Sequence, residues 1–151
     1  ATKNCGAQKR RGASALTKMT GIKIKHLEFI QSTINRMADH SFVLKGWSIT
    51  LVAALLALAA KDADTEYVLV ATFLVLIFWL LDAYYLWQER LFRALYDDVR
   101  KKEEARIDFS MSIKEFCNGN TTWVRAIFSN TLIVFYLSLL LVMLFMLCYI
   151  K

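Results

Sequence analysis

Residues 67–93 read YVLVATFLVLIFWLLDAYYLWQERLFR, and this stretch decides the fold. Its first fifteen residues, 67–81, carry no charge and are mostly apolar. The apolar residues occupy every side of the helix, whereas a helix on a soluble core confines them to one stripe. Asp82 then interrupts the pattern, followed by an aromatic cluster and the polar run Gln88-Glu89-Arg90. Trp79, Tyr84, Tyr85 and Trp87 are the residue types that gather where a transmembrane helix meets the headgroups. The stretch therefore reads as a membrane span. Its helix has no reason to stop at the membrane surface, because Leu91, Phe92, Leu95, Tyr96 and Val99 continue one apolar stripe. Glu89 with Arg93, Asp97 with Lys101 and Asp98 with Lys102 add acid-before-base pairs at i, i+4.

The rest of the chain agrees with this reading. The composition is 57% hydrophobic, with mean hydropathy +0.39, against roughly 45–50% apolar for soluble domains. Proline is absent and glycine occurs five times in 151 residues, which favours long helices over turns. Residues 46–60 (GWSITLVAALLALAA) are uncharged but rise only ~22 Å, so a first span must also use residues 41–45. Residues 61–66 (KDADTE) form a short acidic connection, and residues 126–150 form a further uncharged run. We therefore expect an all-α integral membrane protein with spans near 42–60, 67–87 and 128–150.

Before the first span, Leu27, Ile30, Ile34, Met37, Ser41 and Leu44 alternate at spacings of three and four, the stripe of an amphipathic helix. The spacing predicts a helix that packs on the extension of the second span or lies on the bilayer surface. Residues 1–21 are small, polar and basic and read as a disordered tail, and Met19 is an alternative start that leaves residues 1–18 outside the native chain. After the second span, Ser112 with Glu115 is a candidate capping box for a short helix ending near Cys117. Asn118-Gly119-Asn120 reads as a turn.

Charge sets the orientation. Nine of the 19 Lys and Arg fall in residues 3–45, and eight in residues 88–125, whereas the 61–66 connection holds one. The positive-inside rule then places the N-terminus and the second-span extension in the cytoplasm, and the acidic connection and the C-terminus outside. Beside membrane spans, the net charge of +6 points to the inner leaflet rather than to a specific nucleic acid.

Few constellations carry chemistry. Lys45 lies fifteen residues before Ala60 and Asp82 fifteen after Tyr67, the span ends that flank the 61–66 connection, so an antiparallel hairpin puts both ~22 Å below its outer end. An ionisable pair at that depth either fixes helix register or serves a function. The run Gln88, Glu89 and Arg90 reads as a solvated helix surface or as a contact for a lipid headgroup or nucleotide-like ligand. Gly46, Thr50 and Ala54 form a face of small residues on which a second helix can pack closely. His26 and His40 lack metal-ligand spacing, the three cysteines lack a CxxC pair, and no phosphate loop, HExxH or nucleophile motif occurs. No metal, cofactor or catalytic residue is expected.

The string Phe78-Trp79-Leu80-Leu81-Asp82-Ala83-Tyr84-Tyr85-Leu86-Trp87-Gln88-Glu89-Arg90, with Phe42-Val43-Leu44-Lys45-Gly46-Trp47 and Asp108-Phe109-Ser110-Met111, resembles a group of small bacterial membrane proteins of unassigned function. The resemblance covers residues 22–150. Members of that group look like neighbours of anti-phage or signalling genes in some genomes, so the resemblance implies a defence-linked effector of the bacterial inner membrane. The expectation is a non-enzymatic protein that self-associates in the bilayer and acts with a cytosolic partner. The alternatives are a membrane anchor or adaptor that recruits a soluble protein, and a small transporter-like subunit built on Asp82.

Overall fold

The computed structural model describes residues 3–62, 64–103, 106–117 and 122–150, with side chains from residue 21 onward except at 62. The described residues are helical or irregular, with no strand among them. The order is α1 (Lys3–Asp62), α2 (Glu66–Lys101), a 3-10 turn (Lys114–Phe116), α3 (Trp123–Ile127) and α4 (Asn130–Ile150). Three stretches, Gly21–Lys61, Glu66–Lys101 and Asn130–Ile150, are long and apolar enough to cross a membrane. The chain is thus all-α, with three candidate spans and an amphipathic segment ahead of the first.

That segment and the first span are one helix. His26, Ile30, Thr33, Ile34, Ser48, Val52 and Ala59 are its buried residues, and Met37, Ser41, Leu44 and Lys45 bridge the gap at the same helical spacing, half-buried. One face therefore runs the length of the side-chain-resolved helix, so the stripe read as amphipathic becomes the inner face of a span without a break. Residues 3–20 continue the helix backbone, where the sequence reading has a disordered tail. Ala, Lys, Arg, Gln and Met make up more than half of that stretch and no proline interrupts it, although Gly6 and Gly12 each weaken the helix by about 1 kcal/mol relative to Ala.

At the far end Asp64 Oδ1 accepts the Glu66 amide at 2.9 Å, which turns the chain into α2. The two helices return side by side. In the span region Val52 and Ala59 of α1, Val68, Ala71, Val75 and Ala83 of α2, and Leu132, Tyr136 and Met143 of α4 make one core. Ala71 and Ala83 are wholly buried, and side chains that small let the backbones approach closely. A second core lies beyond the span, where Ile30 and Ile34 meet Leu95, Val99 and Ile107, flanked by Leu27, Phe92, Tyr96, Met111, Ile113 and Phe116. The extension of α2 thus packs on the amphipathic stripe, and residues 107–116 close the remaining side. Lys23 Nζ reaches the Lys102 carbonyl at 2.7 Å, placing a cation on the exposed carbonyls at the end of α2.

Local details depart from the sequence reading. Glu89–Arg93 and Asp98–Lys102 form as expected, but Asp97 turns to Arg100 at 3.8 Å rather than to Lys101. Ser112 does not cap: Ile113 precedes the 3-10 turn with no side-chain cap bond, and the Ser112 amide instead donates to Ser110 Oγ. Phe109 adopts φ 56°, a left-handed conformation costly for a bulky residue, with its ring against His26 at 5.5 Å. The third span begins at Asn130, because α3 ends at Ile127 and the chain bends through Phe128 and Ser129. Ser and Asn compete for backbone hydrogen bonds and so favour helix ends. The turn expected at 118–120 lies outside the described residues.

Candidate functional site

All three spans meet at Asp82. The carboxylate has no exposed surface, and each oxygen is bonded. Oδ2 lies 2.6 Å from Lys45 Nζ, and Oδ1 accepts the Ser41 hydroxyl. Ser41 Oγ in turn accepts from Lys45 Nζ at 2.7 Å. Helical geometry explains the cluster: Ser41 and Lys45 are four apart, so they project from one face one above the other, and α2 presents Asp82 opposite them. From α4, Tyr136 Oη sits 3.2 Å from Asp82 Oδ2 and 3.2 Å from the Phe78 carbonyl. Its ring stacks on Trp79 at 6.0 Å and meets Phe135 edge-on at 4.9 Å. Ser48, one turn beyond Lys45 and fully buried, returns its hydroxyl to the Lys45 carbonyl at 2.8 Å.

The structure therefore brings Lys45 and Asp82 together and adds two residues that sequence reasoning did not single out. Ser41 was read as one position of the amphipathic stripe and the first residue that the first span must use, and Tyr136 only as part of an uncharged span. A hydroxyl at the depth of an intramembrane acid was the available signal, since such an acid needs donors from its neighbours. Ion pair and hydroxyls together tie α1, α2 and α4 to one carboxylate, with one partner on Oδ1 and two on Oδ2.

The polar run at the span exit does not converge. Gln88 Nε2 donates to Tyr84 at 3.2 Å, Glu89 pairs with Arg93, and Arg90 points to the other side of α2. Arg90 Nη2 donates to Ser129 Oγ at 2.9 Å and Nη1 to the Arg125 carbonyl at 3.5 Å. Trp79 Nε1 donates to the Ile127 carbonyl at 3.2 Å. Arg90 and Trp79 of α2 thus satisfy the elbow between α3 and α4. Gly46, Thr50 and Ala54 face outward, and among the described residues no helix packs on this small-residue face. A methyl group at Gly46 would find nothing within 4 Å. Among the described residues no group of three His, Cys, Asp or Glu could hold a metal ion. His40 rests against Tyr85 at 5.3 Å, and His26 is buried beside Phe109.

Outside the span, a groove of about 640 Å³ opens beside α1, lined among others by Leu27, Glu28, Gln31, Arg36, Asp39 and Tyr96. Comparison with known proteins returns no match to a family model, a curated protein or a solved structure.

Proposed function

We propose that the chain is a non-enzymatic membrane effector that self-associates through α1 and answers a cytosolic partner. The observation that carries this reading is the outward face of Gly46, Thr50 and Ala54. Hydrophobic burial gives no drive between helices already in lipid, so association there depends on close backbone approach, which small residues permit. The chain's own helices leave that face uncovered, while its intramembrane polar groups are answered internally by the Asp82 cluster. The resemblance to small bacterial membrane proteins beside defence genes supplies the partner's class, a signalling or defence protein of the cytoplasm.

The groove beside α1 favours a second reading, an anchor or adaptor that recruits a soluble protein without disturbing the bilayer. A transporter-like subunit draws least support, since Asp82 has no exposed surface through which to exchange an ion.

Overproduction in a bacterial host separates the readings. The effector should cross-link into oligomers within the membrane and admit a membrane-impermeant dye. Gly46→Ile with Ala54→Ile should reduce both effects at unchanged abundance. Overproduced wild-type protein that stays monomeric and leaves the membrane tight would favour the adaptor.

A further inference from the structure

The elbow between α3 and α4 carries a feature that self-association does not use. A shallow pocket of about 410 Å³ is lined by Arg90, Val124, Arg125 and Phe128. Two guanidinium-bearing residues and two apolar ones share this hollow, and the apolar pair is open: Val124 is 53% and Phe128 64% exposed. We propose that this elbow seats the phosphate of an anionic membrane lipid between Arg90 and Arg125, with Val124 and Phe128 against the lipid's glycerol and upper acyl carbons.

Depth supports the assignment in two independent ways. Arg90 lies eight residues beyond Asp82 along α2, or ~12 Å. Added to the ~22 Å of span before Asp82, this places Arg90 ~34 Å from the acidic connection, just past a ~30 Å hydrocarbon core and within the headgroup layer. The third span gives the same level. The 21 residues of α4 rise ~31 Å, so Ser129 and Arg125, which precede it, stand just outside the hydrocarbon. The bond between Arg90 and Ser129 at 2.9 Å ties the two levels together.

Chemistry agrees with depth. A guanidinium has five N–H donors in a fixed fork that matches phosphate oxygens. The bonds from Arg90 to Ser129 and the Arg125 carbonyl employ two of them, which holds the fork in place and leaves further donors for an anion. The nearest acid along α2, Glu89, is engaged by Arg93 at 2.7 Å. Basic hollows between membrane helices at the headgroup level are the usual seats of anionic lipid.

The shared chemistry is a phosphate ester, and it could come from a lipid or from a soluble molecule. The full chain in detergent, free of added lipid, is heated alone, with phosphatidylglycerol, with phosphatidylcholine, and with glycerol phosphate in tenfold molar excess. Phosphatidylglycerol should raise Tm by several degrees, and the other two by much less. Arg125→Gln should remove at least half of that shift, whereas Lys114→Gln, an exposed base elsewhere, should retain it. Arg90→Gln should do the same as Arg125→Gln if it folds, but it also unpins the elbow, so Arg125→Gln decides. A full shift in Arg125→Gln overturns the site. A full shift with glycerol phosphate overturns the lipid as its occupant.

Discussion

Asp82 governs the energetics at the scale of single residues. An acid costs about 2.5–3.5 kcal/mol at mid-membrane on insertion scales and less at the depth of Asp82, ~8 Å inside a ~30 Å core, and Lys45, Ser41 and Tyr136 offset that cost only while each stays in place. Removing one partner of a buried pair leaves the other charge uncompensated, at about 3–5 kcal/mol. Asp82→Asn and Lys45→Gln should each lower stability by an amount of that order, and the double variant should recover part of the loss. Unfolding in mixed micelles measures the cycle, and simple addition of the two effects would mean that the pair contributes no coupling. Tyr136→Phe should cost about 1–3 kcal/mol, the penalty for leaving acceptor capacity unanswered in a dry environment. The pair itself was legible because two counts of fifteen residues put Lys45 and Asp82 at one depth. Tyr136 stands fourteen residues before Ile150, ~21 Å from the outer end of the third span, so its depth was legible too, but no pattern in an apolar helix showed which face turns toward Asp82. Arg90 lies two turns from Asp82 and serves the elbow, while the closer Lys45 answers the carboxylate.

Stripes decide the pairing at the scale of elements. The three-four spacing of Leu27, Ile30 and Ile34 and the continuation of α2 through Leu95 and Val99 each left one apolar face without a partner, and the structure joins those faces. Ile34→Glu or Leu95→Glu should therefore destabilise the extension by several kcal/mol, because each buries an unpaired charge, while Gln31→Glu on the exposed side should change little. Proteolysis of the extension in intact membranes is the readout, and equal protection of all three variants would count against the second core. Helix ends were less legible than faces. The elbow at Phe128 and Ser129 depends on Trp79 and Arg90, which lie about 40–50 residues earlier, so no local pattern around residue 128 announces it. The small-residue face was legible as a face, but its occupant was not, because small side chains accept another copy or lipid equally well.

Topology is the property of the whole molecule that the fold makes sharpest. Helices α1 and α2 run antiparallel, so the 62–66 connection lies at one end of the bundle, and the second core, with residues 107–116, lies at the other. Helix α4 starts at the elbow beside Arg90 and runs back along both, which brings Ile150 to the end that holds the connection. Three crossings thus separate the second core from Ile150 by one membrane thickness, whichever way the bundle faces. We propose the direction from base distribution: eight Lys and Arg lie in residues 88–125 against one in 61–66, and the positive-inside rule would keep the more basic side in the cytoplasm. A reporter that works only outside the cytoplasm should be active when fused after Lys151 and silent when inserted at Glu103. Activity at Glu103 with silence at the C-terminus would invert the bundle and remove the cytosolic partner from the proposed function. Activity at both positions, or at neither, would mean that α4 does not cross, and the lipid seat at the elbow would then lose the depth on which it rests.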